Sequence, residues 1–304
     1  MSDIIDLKNL PIPKVVQELD YETLLENRKA KFLELQQTDN ERQHWQARLQ
    51  LESEPVLKLL QENAYLELLL RARINEAAKA VMLAYATGSD LDQLGALFGV
   101  ERLQIRAEDL SVTPPIQAEF EDDERFRTRI QMSLEGLTTA GSRGSYEFHT
   151  LSTSPQIKDV DVASPTPGTV KVTLLSTEGQ GTANSELVQA VKDKLNAEHI
   201  RPLTDTVLVE SAVIVPYQIQ AVLTLYPSVL ETVVLENVNQ AIARYVKKQH
   251  LLGVDITRSG VFAALHQEGV QNVRLNQPLA DIVVQANQAA FCTNITVTVG
   301  GRDE

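Results

Sequence analysis

Residues 122–175 read DDERFRTRIQMSLEGLTTAGSRGSYEFHTLSTSPQIKDVDVASPTPGTVKVTLL, and this stretch predicts six consecutive structural elements. A helix led by acids and rich in arginine comes first, and glycines interrupt the pattern over 136–144. A short second helix leads into alternating apolar residues over 157–162, which predict a strand. The segment 165–168 is rich in proline and glycine and predicts a turn into a second strand over 170–174. This combination is typical of an α+β fold.

The first helix of this stretch pairs acids with arginines one turn apart. Glu121 and Asp123 precede Arg125 and Arg127 by four residues, with the acid on the N-terminal side that favours such pairs. A second hypothesis is an anion site made from the arginines of this region, but intramolecular ion pairs are the simpler interpretation. Exposed pairs contribute only ~0.2–1 kcal/mol each. We therefore predict that Arg125, Arg127 and Arg129 fix orientation more than they raise stability.

Apolar residues in the same segment also recur at helical spacing. They fall at i, i+4, i+8 and i+11 and are Phe126, Ile130, Leu134 and Leu137. This spacing predicts one apolar stripe along the helix.

Two blocks of sequence carry a family resemblance. The first combines an acid-Arg-Phe-Arg-x-Arg helix, a small-Gly-Ser/Thr stretch, an aromatic-containing helix, a V-x-D-V-type strand and a P-x-P-G turn. Its residues are Glu124, Arg125, Phe126, Arg127, Arg129, Ala140, Gly141, Gly144, Tyr146, Val160, Pro167 and Gly168. The second block, residues 86–95, has the form A-x-G-x-x-L-D-x-L. In order and spacing, both resemble the baseplate J family of contractile phage tails and tail-like bacteriocins.

Composition and charge exclude several classes of protein. The hydrophobic fraction of 43% and the charged fraction of 23% indicate a soluble globular chain. A net charge of −13 argues against binding of duplex DNA, which needs a basic surface. The single cysteine, Cys292, excludes an intrachain disulfide and suits a reducing cytosol. No signal peptide is expected, and no stretch approaches the roughly 20 apolar residues of a membrane span.

The first hundred residues read as helical. Asp20 is predicted to cap one helix, and a long helix is predicted to begin at Pro55 and run to Tyr85, which is about 45 Å. A capping box at 89–92 predicts a further short helix. Around residues 66–70 the apolar positions of the long helix exceed one stripe, so it needs cover on several sides.

Two hypotheses explain how the long helix is covered. Either residues 20–37 and 89–98 cover it within the chain, or another chain supplies part of the cover. Periodicity alone leaves both open, and the family resemblance favours a partner chain. The predicted partner-interface residues are Leu59, Leu66, Leu69, Leu70 and Ile74.

Beyond residue 150 the pattern alternates strands and helices. After the first hairpin we expect helices at 183–198, 232–249 and 261–267, and strands at 205–212, 217–225, 273–275 and 295–299. These units predict an imperfect internal repeat of two small, sandwich-like α/β modules. The predicted domains are a helical wedge-bundle region (1–112), a middle domain with the signature block and the first α/β module (113–212), and a C-terminal α/β module (213–304).

The sequence offers little evidence of catalytic, cofactor-binding or metal-binding motifs. The turn Gly179–Asn184 follows a strand and opens a helix, as a dinucleotide-binding loop does, but Asn184 replaces the third glycine. It supports only an alternative function, a nucleotide-binding enzyme or regulator. No two histidines have the spacing of a metal-binding helical pair. We therefore predict that the chain is not an enzyme and has no catalytic residue, cofactor or metal.

The resemblance implies a structural role in a contractile-tail baseplate. A family member assembles as a wedge with a second copy of itself and a smaller wedge protein. Wedges form a six-fold ring that links sheath, hub and tail fibres. The expected location is the host bacterial cytoplasm during assembly and then the virion or a tail-like particle. No nucleic acid or membrane partner is expected.

Overall fold

The structure is a computed structural model that describes residues 5–138 and 140–303. It divides into a helical unit, Ile5–Glu101, and a mixed unit that begins at Arg102. The content of helices and strands confirms the predicted α+β class. The three domain ranges stay predictions, and residues 1–4, Thr139 and Glu304 within them lie outside the described residues.

The described part of the helical unit contains four α-helices after a 3-10 turn at Leu7–Asn9. They are α1 (Tyr21–Glu34), α2 (Asp39–Arg48), α3 (Pro55–Ala80) and α4 (Gly88–Leu97). Asp20 caps α1 as predicted, because its carboxylate accepts the Thr23 N–H at 2.8 Å. Pro55 occupies the first turn of α3, as predicted, where its missing N–H leaves no helical bond unmade.

Two helix ends in this unit differ from the prediction. The long helix ends at Ala80 rather than Tyr85, because the chain turns there and holds the Tyr85 N–H in a backbone hydrogen bond outside the helix. The next helix begins at Gly88, and its N-cap residue Thr87 makes no side-chain cap bond. The capping box predicted at 89–92 is therefore wrong.

The mixed unit combines helices and strands. Its helices are α5 (Asp123–Met132), α6 (Arg143–Leu151), α7 (Ser185–Leu195), α8 (Glu231–Gln249) and α9 (Arg258–Leu265). Its strands are β1 (Gln104–Arg106), β2 (Glu119–Phe120), β3 (Ile157–Thr166), β4 (Thr169–Ser176), β5 (Thr206–Ser211), β6 (Val213–Leu225), β7 (Val270–Gln277) and β8 (Gln288–Arg302). Every helix and strand predicted beyond residue 150 is present, although several ends are shifted.

The strands beyond residue 150 form two three-stranded sheets, ordered β3-β4-β5 and β7-β6-β8. Each sheet has one antiparallel and one parallel pair. Their connections differ, since a turn at Gly168 joins β3 directly to β4, whereas α8 and α9 separate β6 from β7. Both strand-helix-strand units of the predicted imperfect repeat are present, but β4 and β5 pair parallel whereas β6 and β7 pair antiparallel, so the repeat does not extend to the direction of pairing.

Each sheet has its own core, and a third cluster joins the two sheets. The first core includes Tyr146, Val172, Leu174, Leu187 and Val191, and the second includes Ile219, Leu223, Val238, Ile242 and Val261. The joining cluster contains Leu175, Ala212, Leu252 and Ala289. The Leu252 N–H also donates to the Asp159 carboxylate of the first sheet at 2.9 Å. Apolar packing and a hydrogen bond therefore connect the sheets.

Only the first half of the apolar stripe predicted after residue 125 is buried. Phe126 and Ile130 are at most 2% exposed, whereas Leu134 and Leu137 are 65% and 78% exposed. The reason is that α5 ends at Met132 and a 3-10 turn follows. Helical spacing no longer applies there, so the prediction for Leu134 and Leu137 is wrong.

Candidate assembly surface and a buried arginine network

The longest helix, α3, carries apolar residues on two sides. On the inner side, Leu57 and Ala64 are buried and pack with residues of α1. The other side carries the five predicted interface residues, Leu59, Leu66, Leu69, Leu70 and Ile74, which are 58%, 49%, 47%, 66% and 59% exposed. We call these five residues the outer face. Four of them, all but Leu69, fall within an arc of about 80° at 100° per residue.

Polar contacts fix the inner side of α3. Glu67 accepts hydrogen bonds from Arg28 of α1 at 2.6 Å and from Arg71 at 2.7 Å, and these bonds lower the pKa of its carboxyl group. The Asn75 side chain donates to the Gln17 carbonyl at 2.8 Å and accepts the Gln17 N–H at 3.0 Å. Cover from within the chain thus accounts for the inner side of α3 but leaves the outer face exposed.

Glu121 lies at the centre of a charged network beside α5. Its side chain is 1% exposed and accepts hydrogen bonds from the guanidinium groups of Arg125 and Arg129 and from the Leu103 N–H. Burial lowers the pKa of Arg129, and the charge of Glu121 opposes that shift. These ion pairs were expected to be exposed, and the structure buries them instead. We call Glu121, Arg125 and Arg129 the Glu121 network.

Arg125 connects this network to segments far along the chain. Its Nη2 donates to the carbonyls of Leu151 at 2.8 Å and Ser154 at 2.9 Å, and its Nε donates to the Ile157 carbonyl at 3.3 Å. Leu151 ends α6 and Ile157 begins β3, so one side chain binds a carbonyl from each element. This geometry supports an orienting role for Arg125.

Two further arginines surround the same helix. Arg127 is 9% exposed and donates to Glu124 at 3.0 Å. Asp123 accepts from Arg102 at 2.7 Å, and the Arg102 guanidinium lies 4.6 Å from the centre of the Phe126 ring. Asp123 therefore has a partner outside its own helix, which its four-residue spacing to Arg127 did not predict.

The glycine-containing segment before α6 allows a close approach of two loops. Gly141 has a φ of +69°, and a Cβ there would lie 2.7 Å from the Pro202 side chain. Tyr146 follows within α6, and its hydroxyl donates to Asp205 at 2.9 Å. Burial and this bond raise the pKa of Tyr146. The segment therefore holds α6 against the loop that precedes β5.

The turn Gly179–Asn184 is a structural cap rather than a phosphate loop. The Gly181 N–H donates to the Glu178 carbonyl at 2.9 Å, and the Ala183 N–H donates to Ser211 at 2.9 Å. The Asn184 side chain caps α7 by accepting the Leu187 N–H. These N–H groups are therefore engaged within the chain. Gly181 has a φ of +101°, which strains other residues, and a Cβ there would also lie 2.5 Å from the Leu175 side chain, so the position favours glycine.

Neither a metal site nor a membrane-spanning helix is found in the described ranges. Within residues 5–138 and 140–303, no three His, Cys, Asp or Glu side chains are grouped so that they could hold a metal ion. No helix of the same ranges is both long and apolar enough to cross a bilayer.

Cys292 is partly buried, and burial raises the pKa of its thiol.

Comparison with known proteins gives a consistent assignment along the chain. Family models match in order: the Baseplate J-like N-terminal domain at 52–109, the Baseplate J-like central domain at 138–211 and the Baseplate J-like protein C-terminal domain at 217–298. The chain therefore belongs to the baseplate J-like family. It is a structural baseplate protein and not an enzyme, as predicted.

One relative makes the comparison more specific. Over 302 residues, the chain is 48% identical to Baseplate protein J of Escherichia phage P2, and the match covers 99% of both chains. The family resemblance inferred from the sequence is thereby confirmed.

Proposed function

We propose that this chain is a wedge component of a contractile-tail baseplate. Two copies pair with each other and with a smaller wedge protein, and the wedges close into a six-fold ring that links sheath, hub and tail fibres. Assembly takes place in the host bacterial cytoplasm, before the chain becomes part of the virion or a tail-like particle. Membership of the baseplate J-like family supports this role.

The observation that carries the proposal is the outer face of α3. Each of its residues is about half exposed or more, although the opposite side of the helix is already covered by α1. A contiguous apolar face that stays exposed on a folded chain marks a surface for contact with another protein. A bundle with helices of other chains provides the second cover. The domains beyond it are then free to make contacts around the ring.

Hydrophobic burial of the outer face contributes a useful part of the association energy. Full burial of a leucine side chain is worth about 1.5–3 kcal/mol, so the half still exposed at Leu66 or Leu70 represents roughly 1 kcal/mol or more. Five such residues together provide several kcal/mol. A charged residue placed there would also lose hydration in the bundle.

A double substitution on the outer face tests the proposal. Leu66→Glu with Leu70→Glu should abolish co-purification of a second copy and of the smaller wedge protein. Both positions are exposed in the single chain, so its circular dichroism spectrum should change little. Leu203→Glu is the matched control, because Leu203 is 97% exposed and lies in the mixed unit. Normal co-assembly of a folded double variant would refute the proposal.

A further inference from the structure

The mixed unit carries a charged cleft of about 700 Å³. Residues of α5, α6 and β3 form most of its lining, and Lys247 near the end of α8 completes it. Both acidic and basic side chains line the cleft. The charge that the cleft offers to a ligand therefore depends on which of these side chains already have partners within the chain.

The acidic side chains of the cleft are engaged within the chain. Asp122 caps α5 by accepting the Arg125 N–H at 2.9 Å, and Glu124 pairs with Arg127. Asp159 accepts the N–H groups of Val160 and Leu252, both at 2.9 Å. Glu147 is buried and also has a partner. The acids therefore have little remaining capacity to neutralise another cation.

Two lysines of the cleft differ from its other charged groups. The arginines of the cleft share Glu121, but the side-chain amines of Lys158 and Lys247 form no hydrogen bond or ion pair within the described ranges. Lys158 is partly buried, and this burial lowers the pKa of its amine. The neighbouring Asp159 raises that pKa and Lys247 lowers it again. A partly desolvated amine without a close acceptor favours an incoming anion.

We propose that this cleft binds an acidic segment of a neighbouring protein in the assembled baseplate, whose carboxylates pair with Lys158 and Lys247. The inference rests on the proposed function, because it requires a neighbour in the assembly. A short acidic segment fits better than nucleic acid, because the chain as a whole has a net charge of −13. That charge opposes the many phosphates of a continuous backbone more than it opposes one or two carboxylates.

Carbodiimide crosslinking of assembled particles tests this contact directly. The reagent joins an amine to a carboxylate only where the two touch, so mass spectrometry should find Lys158 or Lys247 joined to an Asp or Glu of another protein. If particles contain the chain but both lysines react with acetic anhydride as fast as in the free chain, the cleft proposal fails. If the chain is absent from the particles, the proposed function fails instead.

A matched pair of variants strengthens the test. Lys158→Gln with Lys247→Gln removes both cleft amines, whereas Lys192→Gln with Lys248→Gln makes the same change in charge at exposed positions outside the cleft. In cells that also make the wild-type chain, incorporation of the cleft variant should fall about 2- to 30-fold, the range for two exposed ion pairs. The control should incorporate normally.

Two outcomes would overturn the proposal. The first is equal incorporation of the cleft variant and its control. The second is protection of both lysines in the free chain by DNA or polyphosphate, with no crosslink to a protein in the particle.

Discussion

Replacing Glu121 with alanine should strongly destabilise the mixed unit. The carboxylate is 1% exposed and is shared by two arginines, one of which is only 4% exposed. Removing one partner from a buried ion pair costs about 3–5 kcal/mol, because the remaining charge stays desolvated. We expect the free energy of unfolding to fall by about that amount, a large part of the usual 5–15 kcal/mol of a folded domain.

Urea unfolding with two probes measures this change. The only tryptophan, Trp45, lies in the helical unit. The unfolding transition followed by its fluorescence should therefore keep the midpoint urea concentration of the wild type. Far-ultraviolet circular dichroism follows both units and should show an earlier transition for the mixed unit. Glu119→Ala is the control, since Glu119 pairs with Arg106 at 3.2 Å with both side chains more than half exposed. It should cost no more than about 1 kcal/mol.

The reasoning would be refuted if Glu121→Ala unfolded within about 1 kcal/mol of the wild type, as surface substitutions do. Equal losses from Glu121→Ala and Glu119→Ala would contradict it as well, because Glu121 is buried and holds two arginines whereas Glu119 is exposed and holds one.

Further predictions concern the segment around α6. Gly141→Ala should lower the thermal midpoint of the mixed unit, because alanine is strained at a φ of +69° and its Cβ would meet Pro202 at 2.7 Å; a cost of roughly 1–3 kcal/mol is expected. Tyr146→Phe removes the 2.9 Å bond to Asp205 and should cost about 1 kcal/mol in chemical denaturation. Burial lowers the pKa of His149, so the folded chain binds this proton less tightly than the unfolded chain. Stability should therefore decrease as the pH falls below about 6.5, and His149→Gln should show a smaller decrease in unfolding titrations at several pH values.

Local signals in the sequence predicted the elements well. The cap at Asp20 depends on a partner three residues away, Thr23. The helix start at Pro55 and the turn at Gly168 depend on the backbone preference of the residue itself. The sequence analysis assigned no separate helix to residues 39–48, because they carry no apolar stripe, although the capping box of α2 provided a signal. Thr38 and Glu41 bond each other's backbone N–H groups, and that spacing is visible in the sequence.

Burial and partner choice depended on segments distant in sequence. Spacing identified Glu121 and Arg125 as a pair, but their burial comes from carbonyls 26 to 32 residues beyond Arg125. The contact of Arg129 with Glu121 spans eight residues, which is outside the i,i+3 and i,i+4 spacings that predict helical ion pairs. Likewise, the apolar excess of α3 was visible, whereas the side that α1 covers depended on tertiary packing.

The join between the two sheets of the mixed unit has a mechanical consequence. A single residue, Ala212, separates β5 from β6, and its N–H donates to the Leu174 carbonyl at 2.8 Å. No flexible linker therefore lies between the two sheets. Tension applied to the first sheet passes along the covalent backbone from β5 into β6, the central strand of the second sheet. A pull on this unit would therefore be transmitted through it instead of being absorbed by stretching within it.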